Sequence, residues 1–506
     1  MTALDYVVVA VYFAATTAIA LALAGKQESL KDFFLGNRNV PWWLAAFSGV
    51  ATIVSGASYL GGPGVAFKGD YTLLQYRLAL PLAIFVLCFV LLPFFFRLQV
   101  YSIYEYLGRR FDRRVRVAAS GLFILLKTAY LAIVIYTPAL VLAQVMGVPI
   151  LAIVVVTGLV TTAYTLIGGL RAVLWTDALQ LAVLAGGLCV TVYLVTRGVD
   201  GGIAGVIDRA DAAGKLRYFN LSLSLVEPYT LLGCVVGGTF LMIAQFGADQ
   251  TEIQRFLSTS SLRRAGYALG SSMVVAALLG FALLFIGTAL FVFYAQHPDR
   301  GGIGFDSNRI FAKFIAEEMP SGLTGLMVGA VLAASMSTVS SVLNSLATVS
   351  IADFYPRAGR GEPTVRSARK VTCAFGVVGT VAACFGGAFG NVLEAAITIS
   401  NFFGGSLVGV FLLGMLSRRA NAPGALAGIA GGLLVVMLLS AFTHVAGMWF
   451  GAVSALAAIT VGYAVSLCTA RPPAATGDLV VRALFPGRSA ASGTVVPTAT
   501  GAARRE

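Results

Sequence analysis

Charge is what this 506-residue sequence has least of: Asp, Glu, Lys and Arg make up 11% of it, against 58% hydrophobic residues. Ordinary soluble domains carry about a quarter charged residues, so this composition excludes a soluble enzyme. With a mean hydropathy of +0.87 it indicates an all-α polytopic membrane protein. Cysteine is scarce too. Cys88, Cys189, Cys234, Cys373, Cys384 and Cys468 sit in or beside apolar runs and form no CxxC pair. That pattern excludes a disulfide framework and a thiolate metal site, and leaves them as packing residues. The apolar run Leu4–Leu23 is not expected to be a secretory leader: no basic residue precedes it and Lys26 follows it, so it is expected to be the first span.

What the sequence has in abundance is spanning segments of about 20 residues. They lie near Leu4–Leu23, Trp42–Phe67, Leu78–Phe96, Val117–Gln144, Ile150–Gly169 and Ala172–Thr196, then Tyr229–Phe246, Tyr267–Tyr294, Leu323–Phe354, Val371–Phe389, Val392–Leu416, Gly424–Phe442 and Met448–Cys468, about thirteen in all. The net charge of +13 would suit nucleic acid, but the basic residues follow the membrane. Arg109, Arg110, Arg113, Arg114, Arg116, Arg255, Arg263, Arg264, Arg366, Arg369, Lys370, Arg418 and Arg419 fall in loops on one side. The other side holds few, among them Lys68, Arg77, Lys215 and Arg300. The excess of basic residues on cytoplasmic loops predicts an outside N-terminus and a cytoplasmic C-terminus in the inner (plasma) membrane. Residues 1–468 read as one transmembrane domain, and 469–506, rich in Pro, Ala, Gly and Thr, as a disordered cytoplasmic tail.

The stretch Ala333 to Tyr355, AASMSTVSSVLNSLATVSIADFY, concentrates hydroxyls inside an apolar segment. A hydroxyl in hydrocarbon is costly unless something bonds to it, and a desolvated cation is one such partner. At helical spacing Ala334, Ser337 and Thr338 share one face, and Ser337, Ser340 and Ser341 repeat the pattern a turn later. Two neighbouring oxygen-lined sites follow, suited to a hard monovalent ion. Small polar residues that simply pack helices together are the alternative.

The second span reads ATIVSGASYLGGPG through its middle, with Gly56, Gly61, Gly62, Pro63 and Gly64. Such residues weaken a helix, and irregular backbone at membrane depth is tolerated only against a cavity or protein. A break near Ser55–Ser58 would free the carbonyls of Ala51 and Val54 for a cation. Arg77, at the start of the third span, either snorkels to water or forms a fork for a substrate carboxylate. Lys127 stands about 18 Å into its span and needs a partner or a wet cavity. Asp177 lies at a depth matching Ser340 and Ser341, where it either completes a second cation site or pairs with Arg171. Glu394 reads as a helix-terminal residue. The basic loop YSIYEYLGRRFDRRVR is explained by anionic headgroups. The second and seventh spans, the latter with the pair Gly237 and Gly238, are five apart. Interrupted helices at that spacing suggest an inverted repeat of five plus five over 42–196 and 229–416, with the first span and the last two (422–468) peripheral.

DFFLGNR, SGxxxxGxPG from Ser55 to Gly64, GGLRAVLWTDALQ, DQTEIQRFL and LNSLATVSIADFY together resemble the sodium:solute symporter family, which has the leucine-transporter-like fold. The resemblance implies a sodium-coupled symporter importing a small organic solute. It implies a first sodium site of Ala51, Val54 and Ala334 carbonyls with the Ser337 and Thr338 hydroxyls. It also implies a second, in members that use two ions, of Asp177, Ser337, Ser340 and Ser341. The solute is expected to carry a carboxylate, as a monocarboxylate, proline or a vitamin does, and to lie against Ser55, Ser58, Arg77 and Phe246. Asp249 stands where sugar-carrying members tend to have Asn, which argues against a sodium/sugar symporter. A proton-coupled permease of the same fold is the nearest rival. Partners are the solute, Na⁺ and the lipid bilayer, with no nucleic acid.

Overall fold

The computed structural model describes residues 1–23, 27, 29–355, 362–386, 392–473 and 479–481, with backbone alone at 144 and 392–403. The side chain of Glu394 and most of the expected tail therefore lie outside the described residues. Each of the expected spans falls on a described helix. Among the described residues, nine helices are long and apolar enough to cross a bilayer, and the pair Trp42–Ile53 and Gly56–Lys68 makes up to one further, bent span. The helix Ile150–Arg197 is 48 residues long, about 72 Å at helical rise, and is folded back by a non-helical Gly169 (φ 56, ψ −156). It therefore supplies two of the expected spans. The helices Val365–Cys384 and Val392–Leu416 lie at the remaining two expected positions but are not among the helices long and apolar enough by themselves, so the expected thirteen is approximate.

Local chemistry sets the ends of these helices. Arg113–Met146 starts where Asp112 accepts the Val115 amide at 2.9 Å and stops at Gly147 in the left-handed region. Gly169 admits no side chain: its φ suits glycine, and an added Cβ would lie 2.9 Å from atoms of Phe33. On either side of this turn the chain meets the same neighbour: the Tyr164 hydroxyl donates to the Met336 carbonyl at 3.1 Å, and the Thr191 hydroxyl lies 3.5 Å from Met327 Sδ.

That neighbour is the serine-rich helix Leu323–Val349, extended by a π turn to Phe354. It is the central element: 94% of its most apolar window is buried, against 28% for the first helix Ala3–Ala22. It packs against Ile150–Arg197, Arg113–Met146, both halves of the bent span and the short helix Gln250–Leu257. The first helix was expected at the periphery, yet it is tied to this centre. Its buried Asp5 accepts the amides of Gly322 at 2.7 Å and Gly325 at 2.8 Å, capping the serine-rich helix with a negative charge.

Two expectations for the basic loop and the seventh span are corrected. Arg110 is buried and donates to the carbonyls of Gly414 (3.0 Å) and Ser417 (2.5 Å), closing the end of Val392–Leu416. Arg116 pairs with Asp353 at 2.5 Å, and Ser102 and Ser120 also donate to that carboxylate. These arginines serve the protein interior, so lipid headgroups do not account for them. The glycine pair of the seventh span does not interrupt it, because Gly237 and Gly238 let Met448 and Tyr76 approach an intact helix, Leu231–Ile243. The interruption comes later, in the π turn Ala244–Ala248 and the extended residue Asp249.

Candidate functional site

The bent span breaks where the sequence predicts, and the geometry shows why. Val54 (φ −84, ψ 87) leaves the helix, and Ser55 restarts it by accepting the Ser58 amide at 3.3 Å while Ser58 returns its hydroxyl to the Ser55 carbonyl at 2.9 Å. The two halves meet at 64°. Leaving the helix at residue 54 strips Ala51, Thr52 and Val54 of their usual amide partners three or four residues on.

The serine-rich helix faces these freed carbonyls. Ser337 donates to Ala51 O at 2.7 Å and lies 3.1 Å from Ala334 O; Thr338 lies 3.1 Å from both Thr52 O and Ala334 O. Five uncharged oxygens from two helices thus converge, all fully or nearly buried. Oxygens sharing a hard cation at about 2.4 Å stand roughly 3.4 Å apart in an octahedral shell, so small adjustments here make such a shell. Ala51, Ala334, Ser337 and Thr338 are brought together as the sequence suggests, and Thr52 joins them. Val54 sits at the break itself.

One turn further along, the residues of the expected second site surround a side chain that the sequence reading had placed in a surface loop. Arg255 is 2% exposed. Its guanidinium donates to Ser48 at 2.7 Å, to Ser341 and to the Thr251 carbonyl, with Asp177 Oδ2 at 3.8 Å. Asp177 also accepts a 2.5 Å bond from Ser48, while its Oδ1 has no partner among the described residues. Ser341 touches Thr52 at 3.0 Å, which links this cluster to the first one. Ser340 instead bonds back to the Ser337 carbonyl at 3.0 Å. The alternative pairing of Asp177 with Arg171 does not form, because Arg171 reaches Asp32 at 3.2 Å.

Beside the first cluster is a cavity of about 240 Å³, lined by Thr52, Thr338, Lys127, Gln245, Asp249 and Glu252 among others. It contains the answer to the buried lysine: Lys127 Nζ lies 2.5 Å from Asp249 Oδ2. Asp249 also caps Gln250–Leu257, accepting the Thr251 amide at 2.8 Å. A smaller cavity of about 70 Å³ adjoins it through the shared residues Ile53, Leu241 and Gln245, and is lined by Arg77 and Phe246. A third, of about 190 Å³, holds Ser58 and Arg77. Arg77 therefore faces cavities with Phe246 on one hand and Ser58 on the other, its guanidinium 4.4 Å from the Tyr76 ring. Ser55 is engaged in capping.

Sequence reasoning missed Arg255, Glu252, Thr52 and Ser48. The signal available for the first two was the motif DQTEIQRFL, whose helical spacing puts positions 252 and 255 near one face. Nothing in the sequence alone lifted that face out of the loop.

Three comparisons bear on this arrangement. A family model described as the sodium:solute symporter family matches residues 33–432. The sodium/sialic acid symporter NanT of Aliivibrio fischeri is 31% identical over 468 residues, 91% of this chain and 92% of that protein. The human sodium-coupled monocarboxylate transporter 1 is 30% identical over 446 residues, 85% of this chain and 72% of that protein. Among solved structures, a substrate-bound outward-open Na⁺-coupled sialic acid symporter superposes with a TM-score of 0.86 at 29% identity, covering 93% of this chain and 99% of that one. Mhp1, a nucleobase-cation-symport-1 transporter, shares the fold at a TM-score of 0.59 and 16% identity.

Proposed function

Because this chain belongs to the sodium:solute symporter family, we propose that it imports a small carboxylate-bearing solute by alternating access, driven by Na⁺ as coupling ion. Membership makes it an integral membrane transporter of leucine-transporter-like fold. The finer reading places it in the inner membrane with the N-terminus outside and the C-terminus cytoplasmic, since that orientation puts the arginine-rich loops inside. Residues 42–196 and 229–416 would be its two inverted repeats.

The observation that carries the sodium reading is the convergence of Ala51, Thr52 and Ala334 carbonyls with the Ser337 and Thr338 hydroxyls at 2.7 to 3.1 Å. Uncharged oxygens suit an ion that must bind, be carried and leave. In this reading Ala51, Val54, Ala334, Ser337 and Thr338 hold the first Na⁺, which braces the bent span against the serine-rich helix and so shapes the adjoining cavity. A second Na⁺ at Asp177, Ser340 and Ser341 requires the Arg255 guanidinium to give up Ser341. The flux ratio in Asp177→Ala against the parent chain reads whether it does so. Arg77, with Ser58 and Phe246 beside it, supplies the fork for the solute carboxylate, and Ser55 holds the break in shape.

Uptake into proteoliposomes tests this, with radiolabelled acetate, pyruvate, proline, pantothenate and galactose supplied under a Na⁺, Li⁺ or proton gradient. The expected result is accumulation of a carboxylate-bearing solute under the Na⁺ gradient alone. Transport indifferent to external Na⁺ and driven by protons would move the assignment to proton coupling, with Asp177 or Glu394 as the titrating group. Accumulation of galactose alone would move it to a sugar symporter.

A further inference from the structure

Three buried carboxylates cluster around the short helix Gln250–Leu257, and for one of them the neighbouring cations Arg255 and Lys127 act only from beyond ion-pair distance. Asp249 has Lys127 at 2.5 Å and Asp177 has Ser48 and Arg255. Glu252 is 3% exposed, lines the 240 Å³ cavity, and has neither a hydrogen-bond nor an ion-pair partner among the described residues. A carboxylate left this way in a low-dielectric interior is costly, and such a group inside a membrane protein marks a ligand path.

The adjoining 70 Å³ cavity holds the opposite charge on a half-buried side chain. Arg77 lines it, its Nε is buried without a hydrogen bond, and no carboxylate lies within ion-pair distance of it among the described residues. Stacking on Tyr76 holds the guanidinium in place without neutralising it. The cavities meet at Ile53, Leu241 and Gln245, on the flank of the bent span next to the sodium-ligand candidates. An anion and a cation, each without an ion pair among the described residues and lining neighbouring cavities that share Ile53, Leu241 and Gln245 in their walls, are complementary to a dipolar molecule. A simple monocarboxylate would satisfy Arg77 and leave Glu252 bare; a sugar would neutralise neither.

We propose that the transported solute is a zwitterion, a small amino acid or N-alkylated amino acid, whose ammonium is bound by Glu252 and whose carboxylate is bound by Arg77. This rests on the symport reading above and names the solute class for the same site. Glu252 then acts as the selectivity residue against carboxylates without an amine. A site built to pair a polar group rejects an analogue lacking it strongly, because its own buried group is left unpaired.

The test uses the full chain in lipid nanodiscs and matched pairs that differ only in the amine: L-alanine with propionate, and L-proline with cyclopentanecarboxylate. Pyruvate and N-acetylneuraminate serve as further anions. Direct binding of each of these compounds in radiolabelled form, with and without Na⁺, is read in the parent chain, Glu252→Gln, Glu252→Asp and Arg77→Gln. Unliganded melting temperature checks that each variant folds. The expected result is that an amine-bearing member binds at least about ten-fold tighter than its partner. Glu252→Gln should bring that ratio close to one, Glu252→Asp should retain it, and Arg77→Gln should weaken the amine-bearing members themselves. Propionate, pyruvate or N-acetylneuraminate binding as well as or better than every amine-bearing solute would overturn the proposal, as would an unchanged ratio in folded Glu252→Gln. Sodium-dependent binding without amine preference sinks this inference alone, whereas binding indifferent to Na⁺ sinks the symport reading beneath it.

Discussion

At the scale of single residues, the sodium reading depends on two hydroxyls. Among the described residues, the Ser337 and Thr338 hydroxyls bond only to the carbonyls of Ala334 and of the bent span. Hydrogen bonds and ligand contacts to charged species are worth about 1.5–3 kcal/mol, so removing one oxygen should weaken ion binding by roughly 10- to 100-fold. Ser337→Ala and Thr338→Ala are each expected to raise the Na⁺ concentration for half-maximal uptake by that factor, and the double variant to abolish Na⁺ dependence below about 0.5 M. An unchanged Na⁺ titration in the folded double variant would remove the first site from these residues.

The Lys127–Asp249 pair gives a second residue-scale prediction. Both side chains are largely buried, at 15% and 11% exposed. Removing one member of such a pair leaves an uncompensated charge and costs about 3–5 kcal/mol. Lys127→Met alone should therefore melt well below the parent chain. Adding Asp249→Asn, which can still cap the Thr251 amide, should recover most of the loss. Equal melting temperatures for the single and double variants would show that the pair does not act as a unit.

These residues also show what a sequence can and cannot disclose. Ser337 and Thr338 were legible because their spacing alone puts them with Ala334 on one face, and the break opposite them was legible because Ser55, Gly56 and Pro63 are poor interior residues for a helix. Lys127 was legible as a residue needing a partner, whereas the partner, 122 positions away by residue number, follows only from the packing of two helices. Arg255 was hidden for a different reason. Charge counting treats an arginine after a span as a loop residue, but the π turn at Ala244–Ala248 redirects the chain so that the next helix runs back into the protein.

At the scale of elements, the sharp feature is the fold in Ile150–Arg197. With φ 56 and ψ −156, Gly169 occupies a region essentially restricted to glycine, and Phe33 fills the space a side chain would need. Gly169→Ala is expected to lower stability by about 1–3 kcal/mol, measured by thermal or denaturant unfolding in detergent. Gly186→Ala in the same helix is the control: a Cβ there meets nothing within 4 Å. It should be neutral or slightly stabilising, since alanine is the better helix former. Similar effects at both positions would mean that the bend is tolerant of its residue.

The bent span and the helix Gln250–Leu257 work as a matched pair of interruptions. Each breaks where a serine or aspartate caps the continuing segment, Ser55 in one and Asp249 in the other. Each also delivers polar groups to the serine-rich helix: freed carbonyls from the first, the Arg255 guanidinium from the second. Sequence reading located the first interruption within a residue or two. It misplaced the second at Gly237 and Gly238, because paired glycines mark close helix packing as readily as they mark a break.

At the scale of the whole molecule, the sodium-ligand candidates and the 240 Å³ cavity proposed for the solute share Thr52 and Thr338, so in that reading each ligand touches the other's wall. In the proposed cycle, whichever ligand arrives first braces that wall for the second. Coupling of this kind is reciprocal: the factor by which Na⁺ raises solute affinity is the factor by which solute raises Na⁺ affinity, commonly about 5- to 150-fold. In equilibrium binding to the protein in nanodiscs, saturating solute should lower the Na⁺ midpoint by the same ratio that saturating Na⁺ lowers the solute midpoint. Thr52→Val, which keeps volume while removing the hydroxyl that reaches Ser341 and lines the cavity, should reduce both ratios together. Two titrations that ignore each other would mean that the shared wall transmits nothing. The family's sodium dependence would then have to be explained in this chain by the Arg255–Asp177 cluster instead.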